Sequence, residues 1–252
     1  MARDSKKTSK TSVARKPRRS RGKTGQMEAI ISAAMTLAAS EPWRDITFSA
    51  IAAEAGLPLA ELRAHVACKG DILRALAAQT DEALLASIEK EPLEGDAADR
   101  LFEAIMRRLE IMAPWKAAIG RIMEEPASAV CECPPVIEQY FLSSRWMLAA
   151  AGLEKPGMEG LARTLGLGAV YGRALRTWVH DDDPGLSRTM ARLDRDLKRG
   201  GRLLEQLEGP AHAARAACRF VSAILRAGAR AMRPADKAGG GAQEADAEPE
   251  SV

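Results

Sequence analysis

The sequence predicts an all-α protein, and three observations predict it. Ala, Leu and Arg, all good helix formers, dominate the chain; aromatics make up only 4% of it and β-branched runs are scarce. Apolar residues recur three and four apart between prolines and glycines. Of the 252 residues, a tail at each end leaves roughly 205 for one helical body with an appended head. The expected division is a basic arm over 1–26, a helix-turn-helix domain over 27–75, a helical ligand-binding and dimerisation domain over 76–208, a basic amphipathic helix over 209–233 and an acidic tail over 234–252.

The arm carries ten Lys and Arg against the single Asp4, a net of +9. The whole chain is +3, so residues 27–252 carry −6. With only Met1, Val13 and a few alanines as apolar residues, the arm has no face to bury and is expected to be disordered. It reads as an extension attracted to nucleic acid or anionic lipid, or as a solubilising tail; its Arg- and Ser-rich, acid-poor make-up also matches a transit peptide, though without the apolar helical face.

The first helix is expected over residues 27–43, where Ile30, Ala34, Leu37 and Ala38 form one stripe closed by Glu41 and Pro42. Thr47 to Val66, TFSAIAAEAGLPLAELRAHV, then spells two short helices: Ile51, Ala52 and Ala55 form one stripe, Leu59 and Leu62 the next. Between them Gly56 supplies a left-handed turn and Pro58 restarts the helix. This is the helix-turn-helix pattern, whose second helix can lie in the major groove of DNA. A longer helix follows from Asp71 to about Lys90.

Residues 27–75 resemble the DNA-binding domain of the TetR (tetracycline-repressor) family, on Ala34, Leu37, Thr47, Ile51, Ala52, Ala55, Gly56, Leu62, His65, Lys69 and Leu73. The resemblance implies a DNA-binding transcriptional regulator that works as a homodimer in the cytoplasm. It implies double-stranded DNA as partner, approached by Arg44, Thr47, Leu59, Ala60, Arg63, His65 and Lys69. The chain departs from the family pattern at Glu61 and Arg63, where a small hydroxyl residue and a tyrosine are usual, and at Val66, usually phenylalanine. From Glu41 to Asp71 three cations, Arg44, Arg63 and Lys69, face five carboxylates, an acidic balance for a reading head whose partner is polyanionic.

In the body, 96–113 places Leu101, Ile105, Leu109 and Met112 on one stripe, and Pro114 opens a helix through Trp115, Ile119, Ile122 and Met123. Pro126 and Pro134-Pro135 bracket a loop or short helix; two further helices end at Gly152 and near His180. Met106, Met112, Trp115, Met123, Trp146, Met147, Tyr171, Leu175 and Trp178 either line an apolar ligand pocket or form ordinary core. Asp183 before Pro184 reads as a helix N-cap rather than part of a metal loop, and the next helix carries Leu186, Met190, Leu193, Leu197 and Leu204. The apolar stretches Leu165–Trp178 and Leu186–Leu204 are expected to form a four-helix dimer seam.

Residues 171–200 also resemble the carboxy-terminal region of the ubiquinone-biosynthesis accessory proteins of the coenzyme Q pathway, on Tyr171, the acid cluster before Pro184, Ser187, Thr189 and Leu193-Asp194-Arg195. The departure is Asp196, where an Arg is usual. This resemblance implies an isoprenoid-lipid-binding accessory protein on a TetR-like fold, with the DNA role lost. It also implies a terminal amphipathic helix that serves membrane access. From Arg215 at about 100° per residue, Arg219, Arg226, Arg230 and Arg233 fall together, opposite Phe220, Val221, Ile224, Leu225 and Met232. Arg215, Arg219, Phe220, Val221, Ile224, Leu225 and Arg226 therefore make either a surface for an anionic membrane or a face packed on the bundle.

Catalysis finds no support: His65, His180 and His212 are scattered, and there is no Gly-rich phosphate loop. Cys68, Cys131, Cys133 and Cys218 lack disulfide-framework or zinc spacing, so no metal, no cofactor and a reducing compartment are expected. No spanning segment or signal peptide is read, which makes a soluble intracellular protein the expectation.

Overall fold

The computed structural model describes residues 22–125 and 135–206, and every regular element among them is helical. The arm up to Arg21, the Cys131/Cys133 pair, the segment bearing Arg215, Arg219, Phe220, Val221, Ile224, Leu225 and Arg226, and the tail from Pro234 lie outside the described residues.

Helix α1 (Lys23–Ala38) begins ahead of the expected Met27. Its first turn closes through the Gln26 amide, which donates to the Gly22 carbonyl at 3.1 Å, so residues 23–26 belong to the head and not to the arm. A single 3-10 turn (Trp43–Asp45) carries Trp43, 1% exposed, into the head core. Helix α2 (Phe48–Ala55) is capped by Thr47, whose hydroxyl accepts the Ala50 amide at 3.2 Å. It stops at Gly56, at φ 60° and ψ 39°, where the Leu57 amide reaches back to the Ala52 carbonyl at 2.8 Å. Pro58 is the cap of α3 (Leu59–His65) and stands just outside it, rather than in its first turn.

Helix α4 (Lys69–Lys90) starts before the expected Asp71 because that carboxylate sits at the third helical position. There it accepts the Ala67 and Cys68 amides at 2.8 and 3.2 Å.

The body follows. Helix α5 (Ala97–Met112) is capped by Asp96, a 3-10 turn (Ala113–Trp115) holds Pro114, and α6 (Lys116–Glu124) comes next. Helices α7 (Pro135–Ala150), α8 (Gly157–Val179) and α9 (Ser187–Gln206) complete the described part. Close approach of α7 and α8 is made possible by glycine: a Cβ on Gly168 would stand 3.1 Å from Phe141 and 3.3 Å from Tyr140.

Two apolar cores result. The head core gathers Ile30, Met35, Trp43, Ile51, Leu62, Val66 and Ile72, and takes Ala118 and Ile122 from α6. The body core gathers Leu84, Ile105, Leu109, Met147, Leu167, Trp178 and Leu193. Helix α4 contributes to both, Ile72 and Leu76 to the first and Leu84 to the second. At the far end of α6, Lys116 Nζ donates to the Asp181 carbonyl and lies 5.7 Å from the Trp178 ring centre. The linker into α9 differs from the expected Asp183-Pro184 cap. Asp183 accepts the Gly185 and Ser187 amides, while the buried Asp181, two residues earlier, accepts both the amide and the hydroxyl of Thr189 at 2.8 and 2.7 Å.

Candidate nucleic-acid interface and the core of the body

The reading head turns one face of α3 to solvent. Leu62, 1% exposed, anchors the helix, which leaves Leu59 (52% exposed), Ala60, Glu61, Arg63 and Ala64 outside. Val66, at the position usually held by phenylalanine, is buried beneath.

The cations of this head are unequally placed. Lys69 Nζ donates to the Trp43 and Arg44 carbonyls at 2.8 and 3.2 Å and lies over the Trp43 ring, so it staples α4 to the 3-10 turn. Arg44 stands 3.6 Å from Glu125 and 3.8 Å from Asp45. Of Arg44, Lys69 and Arg63, it is Arg63 that makes no hydrogen bond or ion pair among the described residues. Thr47 is spent on its cap.

Sequence reasoning missed Gln26. Its amide Nε2 donates to Glu61 at 3.2 Å, while its Oε1 lies 3.0 Å from His65 Nε2, so the imidazole N–H donates to it. One side chain from α1 therefore holds two successive turns of α3. It also gives the Glu61 carboxylate, a departure from the family pattern, a donor within the head, and it joins α3 to the helix from which the arm departs.

In the body, the expected pocket residues divide. Met106, Met112, Met147, Tyr171, Leu175 and Trp178 share the body core. Trp115 packs on the head core instead, and Trp146 is 45% exposed on the outer face of α7, one residue from the fully buried Met147. Met123 is half-buried and belongs to neither core.

What joins the helices of the body is a buried charged network that the apolar stripes did not reveal. Asp81 of α4 accepts Arg108 Nη1 from α5, Ser143 Oγ at 2.7 Å and Gln139 Nε2 at 3.1 Å from α7. Arg108 also donates through Nε to the Tyr171 hydroxyl of α8 at 3.0 Å and through Nη2 to Ser143 at 3.2 Å. Asp81 is 5% and Arg108 2% exposed. Burial holds the Asp81 carboxyl above its ordinary value, and the Arg108 charge with the donors around it pulls it only part of the way back. Tyr140 donates to the Gly168 carbonyl, and burial beside Tyr171 pushes its phenol far above the ordinary range. At Asp196, the departure from the second resemblance, the carboxylate is 5% exposed and accepts Arg173 and Arg192 at 2.8 and 2.9 Å, tying α8 to α9. No group of three His, Cys, Asp or Glu among the described residues can hold a metal ion.

By sequence the chain matches no family model and no curated protein. By structure it is similar to a TetR transcriptional regulator from Nitrosomonas europaea ATCC 19718, with a TM-score of 0.57 and 20% identity over 70% of this chain and 98% of that one. A TetR transcriptional regulator from Rhodococcus sp. RHA1 gives 0.53 and 16% over 70% and 96%. A TetR-family regulator from Streptomyces coelicolor gives 0.51 and 13% over 84% and 100%. The all-α TetR fold, a helix-turn-helix head followed by a helical body, is the architecture of this chain. No helix among the described residues is long and apolar enough to cross a membrane.

Proposed function

We propose that this chain is a non-enzymatic, TetR-type transcriptional regulator that binds double-stranded DNA as a homodimer. The observation that carries the proposal is the outer face of α3, where Arg63 projects from a helix anchored by Leu62 and braced by Gln26. The arm then supplies most of the phosphate attraction, since Lys69 and Arg44 are engaged within the head. Pairing uses apolar side chains that the fold leaves outside: Ile137, Leu142 and Trp146 on α7, with Met158 and Leu161 on α8. The stretches first expected to form the seam supply Leu165, Trp178, Leu193 and Leu197 to the interior of one chain instead. A small apolar ligand would act on the body core around Met112, Met147 and Tyr171.

Selection of sites from a random duplex pool, followed by binding titrations, tests the DNA role: recovery of a two-fold symmetric site supports it, and an unenriched pool rejects it. Sedimentation of a Trp146→Asp, Leu161→Asp double variant tests the pairing face, the expected result being a monomer.

A second reading is favoured by the internal use of Lys69 and Arg44. In it the head has lost its DNA role and the chain is an isoprenoid-lipid-binding accessory protein of ubiquinone biosynthesis. Mass spectrometry of a chloroform extract of the purified protein decides it, through the presence or absence of a stoichiometric isoprenoid.

A further inference from the structure

At about 100° per residue, the side chains of α3 divide into three arcs. Leu62 alone forms the inward one. Glu61 and His65, about 40° apart, form a second, and both are held by Gln26, whose Nε2 donates to Glu61 at 3.2 Å and whose Oε1 takes the His65 N–H at 3.0 Å. The third arc, about 140° wide, carries Leu59, Arg63, Ala60 and Ala64 in that order, all of them exposed and Leu59 52% so. Gln26 thus draws the carboxylate and the imidazole of the helix to one side. What faces outward is a set of apolar side chains around the Arg63 guanidinium, which has no hydrogen bond or ion pair among the described residues.

Such an arc suits only some base edges. In the major groove guanine presents the N7 and O6 acceptors that a guanidinium grips as a pair, and thymine presents a methyl group that alanine and other apolar side chains meet. Adenine calls for a side chain that both donates and accepts, and cytosine for an acceptor. Leu59, Ala60, Arg63 and Ala64 offer neither, because the Glu61 carboxylate lies off the arc with Gln26 on it.

We propose that α3 reads a short core of guanine and thymine. Arg63 takes guanine O6 and N7, Leu59 meets the methyl of a thymine on one side of that guanine, and Ala60 with Ala64 meets one on the other, on either strand. This assignment rests on the DNA-binding role proposed above and names the sequence class that role requires. Leu59 to Ala64 covers about 7.5 Å of helix, or about two base-pair steps of about 3.4 Å, so each half-site core is about three base pairs. The guanine sits between the methyls because Arg63 lies between Leu59 and the two alanines on the arc.

The test uses the full chain and duplexes built on the site it selects from a random pool. In one half-site each core thymine is replaced in turn by deoxyuridine, which lacks only the methyl, and the guanine by 7-deazaguanine, which has C–H in place of N7. Deoxyuridine beside the guanine should weaken binding about fourfold, the worth of one buried methyl group, and 7-deazaguanine about tenfold. Leu59→Ala, which removes an exposed side chain and should leave the melting temperature unchanged, should lose the response to one deoxyuridine and keep the response to 7-deazaguanine. Arg63→Ala should do the reverse. A selected core without thymine beside guanine, equal binding of every deoxyuridine duplex, or the full set of deoxyuridine responses in Leu59→Ala overturns the assignment while the DNA role stands on the selected site. An unenriched pool overturns the DNA role and the assignment with it.

Discussion

Arg108→Met should destabilise the protein by about 3–5 kcal/mol, the usual cost of stranding a buried charge. The magnitude follows from what remains. Methionine fills most of the vacated volume, so the cavity contribution is small. Asp81, however, stays 5% exposed and loses its only charged donor, keeping Ser143 and Gln139. The Tyr171 hydroxyl loses the donated Arg108 Nε–H, and Ser143 loses Nη2. At roughly 2–4 °C per kcal/mol for a chain of this size, the melting temperature should fall by about 6–20 °C. Urea denaturation followed by circular dichroism gives the free energy, and calorimetry the melting point. The companion is Asp81→Leu with Arg108→Met, which removes both charges and should recover a large part of the loss. The reasoning is refuted by a single variant within about 1 kcal/mol of the parent, or by a double variant no better than the sum of the two singles.

Other outcomes follow from particular contacts. Gly168→Ala should cost about 1–3 kcal/mol, since the added Cβ would stand 3.1 Å from Phe141, and the loss should show in urea midpoints. For Asp71, burial pushes the carboxyl up but the Ala67 and Cys68 amides and Arg74 outweigh it, leaving the folded pKa below the ordinary value. Its contribution is therefore present above the unfolded carboxylate pKa of about 3.9 and is lost as pH falls through the lower folded value. Asp71→Asn should accordingly destabilise by about 1 kcal/mol at neutral pH, and the gap should close in acid melts. Deleting residues 1–21 leaves α1 whole and should weaken DNA binding on all sequences with a shallower salt slope, whereas Arg63→Ala should act mainly on a preferred site; filter binding across a salt series separates the two.

Residues whose role is local were legible in the sequence. Gly56 had to turn left-handed between two apolar stripes, and Leu62 had to be the inward residue of α3, because both follow from spacing within a few residues. Arg108 was half-legible: it interrupts the α5 stripe between Ile105 and Met112, and a charge in that register must be buried or must bend the stripe. Its partners were not legible, since Asp81, Ser143 and Tyr171 come from three other helices. Lys69 was misleading for the same reason, because its acceptors are carbonyls more than twenty residues back. Trp146 and Met147 show the finest limit: neighbours on a helix point about 100° apart, so which one faces inward depends on how α7 is rolled against its neighbours.

Helix α4 runs for 22 residues with no proline and with its only glycine in the first turn, so it behaves as a stiff lever with its two ends embedded in different cores. From Asp71 to Asp81 it spans about 15 Å. A tilt of about 5° set where Arg108, Ser143 and Gln139 grip Asp81 then displaces the end beside α3 by roughly 1.3 Å, about a rise of one helical residue. Loosening that grip needs no opening in the body, only an exchange of partners around one carboxylate. Substitutions far from the head, at Ser143 or Gln139, thereby become levers on the aim of Arg63.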